Sequence, residues 1–118
     1  MPPAPLPRRL SRLPAARPAR PGLDVRVART PAARLAGLAG LAEIPEHAGL
    51  LLPCTRSVHT FGMCVAIDLV WLGPGRIAVR VDAAVAPGRV RSCRRAHAVL
   101  ELAAGAAARH GLHPGAAL

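Results

Sequence analysis

The chain has 118 residues, which suits one domain, and 52% of them are hydrophobic, enough for one core. Its formal net charge of +10 comes from 16 basic residues, all of them arginine, but one Phe, one Trp and no Tyr leave few side chains to stack on nucleic-acid bases. We therefore expect a single domain that does not bind nucleic acid, and no membrane span, because no stretch reaches about 18 apolar residues.

The cysteines and the N-terminus bear on the cellular compartment. Cys54, Cys64 and Cys93 are odd in number and irregularly spaced, which does not fit a disulfide framework and favours a reducing compartment. Residues 1–21 lack the continuous apolar run of a secretory signal. These features predict a cytoplasmic protein.

Residues 1–21 are predicted to form a disordered tail rich in proline and arginine. They hold seven of the thirteen prolines and five of the arginines, and segments of this composition bury too little apolar surface to offset the entropy of folding. Residues 22–118 are then predicted to form a single α+β domain.

The domain is predicted to begin with a strand, a helix and a second strand. Residues 23–27 alternate between apolar and polar side chains, as a half-buried strand does. Thr30 and Pro31 suit the N-cap and the first position of a helix, which Pro45 would end. A short apolar strand over residues 49–52 follows.

Residues 58–72 are predicted to form one long strand or two joined strands. Regular alternation places Cys64 and Asp68 on one face and a set of apolar side chains on the core face. A bulge at Gly62 would move His59 to the face of Cys64 and Asp68. The predicted core face consists of Phe61, Met63, Val65, Ile67, Leu69 and Trp71.

The rest of the chain is predicted to add two strands and a helix. Residues 77–81 follow a Gly-Pro-Gly turn and would pair back as a hairpin. A basic loop over 89–95, a strand over 97–102 and a short helix over 103–110 come next. This order predicts an α+β fold with two short helices and a strongly bent, barrel-like, mainly antiparallel sheet, because so few helices cannot cover a flat one.

Several motifs follow one another between about residues 23 and 115. A T-x-x-x-R-x-x-G-L pattern follows the first strand, a Phe-x-Met segment precedes an Ile-Asp pair, and V-L-E-L-x-x-G comes near the end. The matching residues are Thr30, Arg34, Gly37, Leu38, Gly49, Phe61, Met63, Ile67, Asp68, Val99, Leu100, Glu101, Leu102, Gly105, Gly111, Leu112 and Gly115. In this order the chain resembles a bacterial and archaeal family known as domain of unknown function 192, in its high-GC bacterial variant. The resemblance implies a fold and no activity.

The chain departs from that family pattern at two places. Cys64, Val65 and Ala66 stand where polar residues are common after the methionine, and Ala116 replaces an acid near the end. A ligand that depended on those polar groups is therefore not implied for this chain.

Asp68 and Glu101 are acids inside apolar strands. A buried carboxylate must find hydrogen bonds or a cation, or its pKa rises. Each is interpreted either as a structural acid, bonded to backbone amides, to an arginine or at a helix start, or as one of two carboxylates that converge on a polar site. His59 is interpreted either as a satisfied edge histidine or as a member of that site.

Two further hypotheses involve the cysteines. Cys64 or Cys54 with His59 and Asp68 would supply the nucleophile, base and orienting acid of a small thiol-dependent hydrolase. A tetrahedral metal site would need two Cys and two His ligands. That ligand set would be Cys54, His59, Cys93 and His97.

The sequence favours a non-enzymatic module that binds a small molecule or a partner protein at a polar pocket near Asp68, Glu101 and His59. The arginines of the basic loop would lie at its rim. The candidate ligand-binding residues are His59, Cys64, Asp68, Glu101, Arg89 and Arg91. We expect no metal and no cofactor, and the sequence predicts no oligomeric state.

Overall fold

The computed structural model describes residues 4–17 and 20–118. Its helices and strands are α1 (Arg8–Ser11), β1 (Asp24–Val27), α2 (Pro31–Ala36), β2 (Ala48–Pro53), β3 (Ser57–His59), β4 (Ile67–Leu72), β5 (Ala78–Val85), β6 (Val90–Ser92), β7 (Ala98–Ala103) and α3 (Ala106–Arg109). A 3-10 turn over Pro74–Arg76 joins β4 to β5. None of the described helices is long and apolar enough to cross a bilayer.

The strands form one main sheet and one small one. The main sheet has the order β1-β2-β7-β4-β5, and β3 pairs with β6 in a separate ribbon. The β1–β2 pair is parallel and the other pairs are antiparallel. The predicted α+β class with mainly antiparallel pairing is therefore confirmed. In the described residues the main sheet ends in two edge strands, β1 and β5, and does not close into a barrel.

Both faces of the main sheet are covered by packed layers, and its interior strands are mostly apolar. Every residue of β4 is buried, as is usual for a strand with a packed layer on each side. One core contains Leu50, Leu52, Leu69, Trp71 and Val99. The other contains Leu51, Val70, Leu72, Leu100 and Leu102. We call these the Trp71 face and the Leu102 face of the sheet.

The predicted strand over 58–72 is two strands, β3 and β4, separated by a turn. Gly62 adopts φ 80° within this turn and does not form a bulge in a continuous strand. Thr60 is buried and fixes the turn by donating to Ala86 O and accepting from the Arg89 amide. Because the chain leaves the strand here, the alternation stops, and Phe61 is 55% exposed instead of lying in the core.

The first long helix begins as predicted and ends earlier. The Thr30 side chain accepts a hydrogen bond from Ala33 N, and Pro31 occupies the first turn. The helix stops at Ala36 rather than near Pro45. Gly37 follows with φ 51°, a conformation that L-residues rarely adopt and that breaks the helical hydrogen bonds.

The segment predicted as a disordered tail packs on the domain over residues 4–17. Leu10 is 1% exposed in the core of the Trp71 face, and Leu6 and Leu13 contact the same core. Leu10 belongs to the short helix α1, and Leu6 and Leu13 lie just before and just after it. The structure thus packs Leu6, Leu10 and Leu13 against the core, whereas the sequence predicts a solvated tail over residues 1–21. Residues 1–3 and 18–19 of the predicted tail lie outside the described residues.

The predicted basic loop over 89–95 also contains regular structure. Val90–Ser92 forms β6, which pairs with β3 in the register Val58↔Arg91. The local sequence does not predict β6, because the hydrogen bonds that form this strand come from pairing with β3, much earlier in the chain.

Candidate functional site

A cavity of about 360 Å³ lies beside the Trp71 face of the sheet. Helix α2 forms one side, and the end of β2, the turn after it and β3 form the other. We call it the α2–β3 cavity. Its charged or titratable lining residues are Arg34, Cys54, Arg56, His59 and Glu101, and its apolar lining residues include Leu35, Leu52, Val58 and Met63.

Glu101 reaches this cavity from β7. Its strand partners are Leu50 on β2 and Leu69 on β4, so its side chain lies on the Trp71 face. The residue is 1% exposed, and burial raises the pKa of its carboxyl from 4.5 to about 7, while a backbone hydrogen bond from Leu38 lowers it in part. Glu101 Oε1 has no hydrogen-bond partner. The site therefore contains a buried acceptor that the protein leaves free.

The backbone of Gly37 makes room for this carboxylate. A Cβ atom at this position would lie 2.8 Å from Glu101 Oε1, closer than carbon and oxygen pack without a hydrogen bond. Gly37 also adopts φ 51° and ψ −131°, a conformation that a side chain disfavours. The turn after α2 thus allows the acid to reach the cavity.

His59 contributes a second free polar atom. Its Nδ1 is buried without a hydrogen-bond partner, and its ring stacks on Phe61 with centroids 5.3 Å apart. This arrangement differs from the satisfied edge histidine that strand alternation favours. Stacking on Phe61 holds the imidazole in place. Its Nδ1 therefore stays buried in the protein without a hydrogen-bond partner.

Arg34 and Arg56 supply positive charge to the cavity wall. Arg34 Nη1 donates to Arg29 O at 3.3 Å, and Arg56 Nε donates to Ala96 O at 3.2 Å. The three ion pairs among the described residues involve other arginines. Each guanidinium therefore has free donors and no carboxylate partner in the described part of the chain.

Asp68 lies on the other face of the sheet. Its strand partner is Leu102, while that of Glu101 is Leu69, and adjacent residues in a strand point to opposite faces. Asp68 Oδ1 accepts from Ala84 N at 2.8 Å and Oδ2 accepts from Ala107 N at 3.0 Å. The predicted convergence of the two acids is therefore wrong, and the structural interpretation of Asp68 is the one that its contacts support.

The structure does not assemble the predicted thiol site. Cys64 is exposed in the turn after β3 and does not line the cavity, and Asp68 is on the opposite face of the sheet. Cys54 does line the cavity with His59, and it adopts φ 53°. A nucleophile, base and orienting acid are thus not brought together as the hypothesis requires.

The four residues of the hypothetical metal site do not form one cluster in the described part of the chain. Cys93 is buried, His97 is exposed, and no group of three or more His, Cys, Asp or Glu side chains within residues 4–17 and 20–118 has a geometry that holds a metal ion. Spacing along the chain did not translate into proximity because Cys93 belongs to the core of the Trp71 face.

The predicted rim arginines do not line the cavity. Arg91 lies in β6 and donates to Val90 O, and the amide of Arg89 bonds to Thr60. Arg34 and Arg56 line it instead. The sequence offered one signal for Arg34, its place with Gly37 in the helix motif, and none for Arg56.

Comparisons with known proteins agree with this fold. The model of the DUF192 family, described as uncharacterized ACR, COG1430, matches residues 15–118. A protein of unknown function from Novosphingobium aromaticivorans DSM 12444 is 25% identical, with a TM-score of 0.71 over 79% of this chain and 71% of that one. A putative transcription regulator from Sinorhizobium meliloti 1021 has the same identity, TM-score and share of this chain, and 78% of its own length is covered. No curated protein matches significantly.

Proposed function

This chain belongs to the DUF192 family, and we propose that it is a non-enzymatic binding module that holds a small polar ligand in the α2–β3 cavity. One observation carries the proposal: Glu101 Oε1 and His59 Nδ1 are both buried without hydrogen-bond partners, and both residues line the same cavity.

A buried polar atom without a hydrogen-bond partner destabilises the folded protein. Two such atoms on residues that line one cavity therefore support the binding of a ligand there. Each lost hydrogen bond to a buried polar group costs about 1–3 kcal/mol, and most buried polar atoms in folded proteins are satisfied. A ligand with its own donors and acceptors would restore both bonds at once. A volume of about 360 Å³ suits a small molecule.

The residues of the family motifs also support this cavity. Arg34, Gly37, Met63 and Glu101 come from distant parts of the chain and line it together. A purely structural motif would explain Gly37 and Met63 by packing. It does not explain why a buried acid with an unpartnered oxygen and an arginine that forms no ion pair among the described residues line the same cavity.

Binding is favoured over catalysis because the groups of the hypothetical thiol enzyme are divided between two faces of the sheet. Asp68 uses both oxygens to bind backbone amides, so it is not free to orient His59. Cys54 is the cysteine that lines the cavity. The reactivity of its thiol therefore distinguishes a binding module from a thiol-dependent enzyme. A binding module should show alkylation of Cys54 no faster than that of exposed Cys64.

Native mass spectrometry of the full chain purified from its own host tests the proposal. We expect a small-molecule adduct on the wild type and its loss in Glu101→Gln, which keeps the shape of the side chain and removes its charge. Glu46→Gln is the matched control, because Glu46 is exposed and its carboxylate pairs with Arg109 on the surface. A bare polypeptide mass for the wild type, or an adduct that Glu101→Gln retains, would contradict the proposal.

A further inference from the structure

The charges of the α2–β3 cavity are separated. Glu101 is the one acidic side chain that lines it in the described part of the chain, and Arg34 and Arg56 line it as well. Opposite charges in a confined space normally pair, yet Glu101 forms no ion pair with either arginine. The cavity is therefore lined by an acid and two cations that do not pair with one another.

A ligand group that donates hydrogen bonds would satisfy the unpartnered oxygen of Glu101. Its Oε1 is buried without a hydrogen-bond partner, and it lies 2.8 Å from the Cβ position that Gly37 leaves empty. A protonated amine would form a charge-assisted hydrogen bond to this oxygen and would neutralise the buried carboxylate. Such bonds are roughly twice as strong as neutral ones.

Arg34 and Arg56 call for a ligand group that accepts hydrogen bonds. A guanidinium has five N–H donors in a planar fork, and the structure shows one bond to a backbone carbonyl from each side chain. The remaining donors match the geometry of a carboxylate. A ligand carboxylate would supply the negative partner that neither arginine has among the described residues.

From these contacts, and resting on the proposed binding function, we infer that the ligand is a small zwitterion, an amino acid or a related ω-amino acid. Glu101 binds its amine, and Arg34 and Arg56 bind its carboxylate. In the tautomer that leaves its Nδ1 without a proton, His59 accepts a second hydrogen bond from the amine. The apolar side chains of Leu35, Leu52 and Met63 bound the same cavity and contact the carbon chain of the ligand.

Calorimetric titration of the full chain with matched probes tests the inference. The zwitterions are glycine, β-alanine and γ-aminobutyrate, which differ in the distance between the two charges. Butanoate lacks the amine and butylamine lacks the carboxylate. Above the pKa of Glu101, at about pH 8, at least one zwitterion should bind at least tenfold more tightly than both single-charge probes.

Two variants test which residues bind the amine of the ligand and which bind its carboxylate. Glu101→Gln should weaken the bound zwitterion and butylamine by at least tenfold and leave butanoate unchanged. Arg34→Gln combined with Arg56→Gln should weaken the zwitterion and butanoate and leave butylamine unchanged. Glu46→Gln should bind all probes like the wild type, and unchanged amide spectra would show that each variant is folded.

The binding of the zwitterion should also depend on pH. Glu101 is the acid that binds the amine, and the other titratable or charged groups that line the cavity are Arg34, Cys54, Arg56 and His59. Because the amine requires an ionised carboxylate, affinity should fall as pH is lowered through 7, and this fall should be absent in Glu101→Gln.

Two results would overturn the inference. One is equal affinity for the zwitterion and a single-charge probe, and the other is the absence of millimolar binding by every zwitterion. A host-derived adduct that depends on Glu101 but lacks an amine or a carboxylate would end the inference and leave the proposed function standing. A bare wild-type mass together with no binding of any probe would end both.

Discussion

Glu101 combines two properties that rarely occur together in one side chain. It is almost fully buried, and one of its oxygens has no partner. A structural acid at such a position would gain hydrogen bonds from neighbouring amides, as Asp68 does. The contrast between these two acids, one satisfied and one not, distinguishes structural burial from a site that is prepared for a ligand.

The pH dependence of stability should reveal the buried carboxyl of Glu101. Its pKa is raised from 4.5 to about 7 in the folded protein, so the folded state keeps a proton that the unfolded chain releases. Stability should fall as pH rises between these values and level off above them, by up to roughly 3 kcal/mol.

Urea unfolding of the wild type and Glu101→Gln at a series of pH values measures this effect. The variant should be as stable as the wild type near pH 4.5 and more stable above pH 7, because it has no charge to bury. Parallel stability curves for the two proteins would show that Glu101 does not titrate in this range.

Gly37→Ala should both destabilise the protein and close the cavity. The added Cβ would lie 2.8 Å from Glu101 Oε1 at a backbone φ of 51°, and the combined strain should cost about 1–3 kcal/mol. Thermal unfolding measures the loss. Gly88→Ala is the matched control, since its φ is also positive and nothing lies within 4 Å of its Cβ position. Equal losses in both variants would mean that backbone strain alone is responsible.

At the scale of secondary-structure elements, Asp68 joins three of them. It belongs to β4, binds the amide of Ala84 in β5 and binds the amide of Ala107 in α3. Ala84 adopts φ 48°, and the β4–β5 register shifts between Ile67 and Leu69. A residue at such an irregularity loses its hydrogen-bond partner on the neighbouring strand. Here the Asp68 carboxylate accepts the hydrogen bond of the Ala84 amide instead.

Asp68→Ala should therefore destabilise the fold by about 2–4 kcal/mol, since the buried amide of Ala107 and the partly buried amide of Ala84 lose their acceptor. Chemical denaturation provides the measurement. Asp24→Ala should cost less than about 1 kcal/mol, because Asp24 forms a partly exposed ion pair with Arg26. A small effect at Asp68 would contradict the structural role assigned to it and reopen the hypothesis of a functional acid.

At the scale of the whole molecule, the N-terminal segment belongs to the folded unit. Residues 4–17 place Leu6, Leu10 and Leu13 against the core of the Trp71 face. Arg9 donates to Gly37 O at 3.0 Å, and Arg26 donates to Ser11 O and Leu13 O. The segment thus contacts both β1 and the turn that borders the α2–β3 cavity.

Leu10→Ala tests whether this segment contributes to stability. We expect a loss of about 2–5 kcal/mol, as for other buried leucines, and a lower melting temperature measures it. Arg8→Ala is the control, because Arg8 is exposed two residues before Leu10 in the same helix. If Leu10→Ala melts with the wild type, the segment is a solvated tail, as its composition predicts.

Local physics made part of this protein predictable. Alternation in Asp24–Val27, the Thr30 cap before Pro31 and the apolar run of β4 each depend on neighbouring residues alone. The family resemblance, carried by the order of its motifs, is confirmed over residues 15–118. Composition predicts a solvated tail and does not reveal the three leucines, Leu6, Leu10 and Leu13, that contact the core, because average polarity conceals individual apolar residues.

By itself the sequence determined the α+β class, most strands, and the presence of two acids within apolar strands. Only the tertiary structure decided which face each acid occupies. Alternation fixes the relative directions of side chains within one strand, but the pairing of Leu69 with Glu101 fixes them between strands. That register places Asp68 against α3 and Glu101 against α2. The α2–β3 cavity exists because residues far apart in the chain come together on one side of the sheet. The local sequence does not determine which distant residues come together.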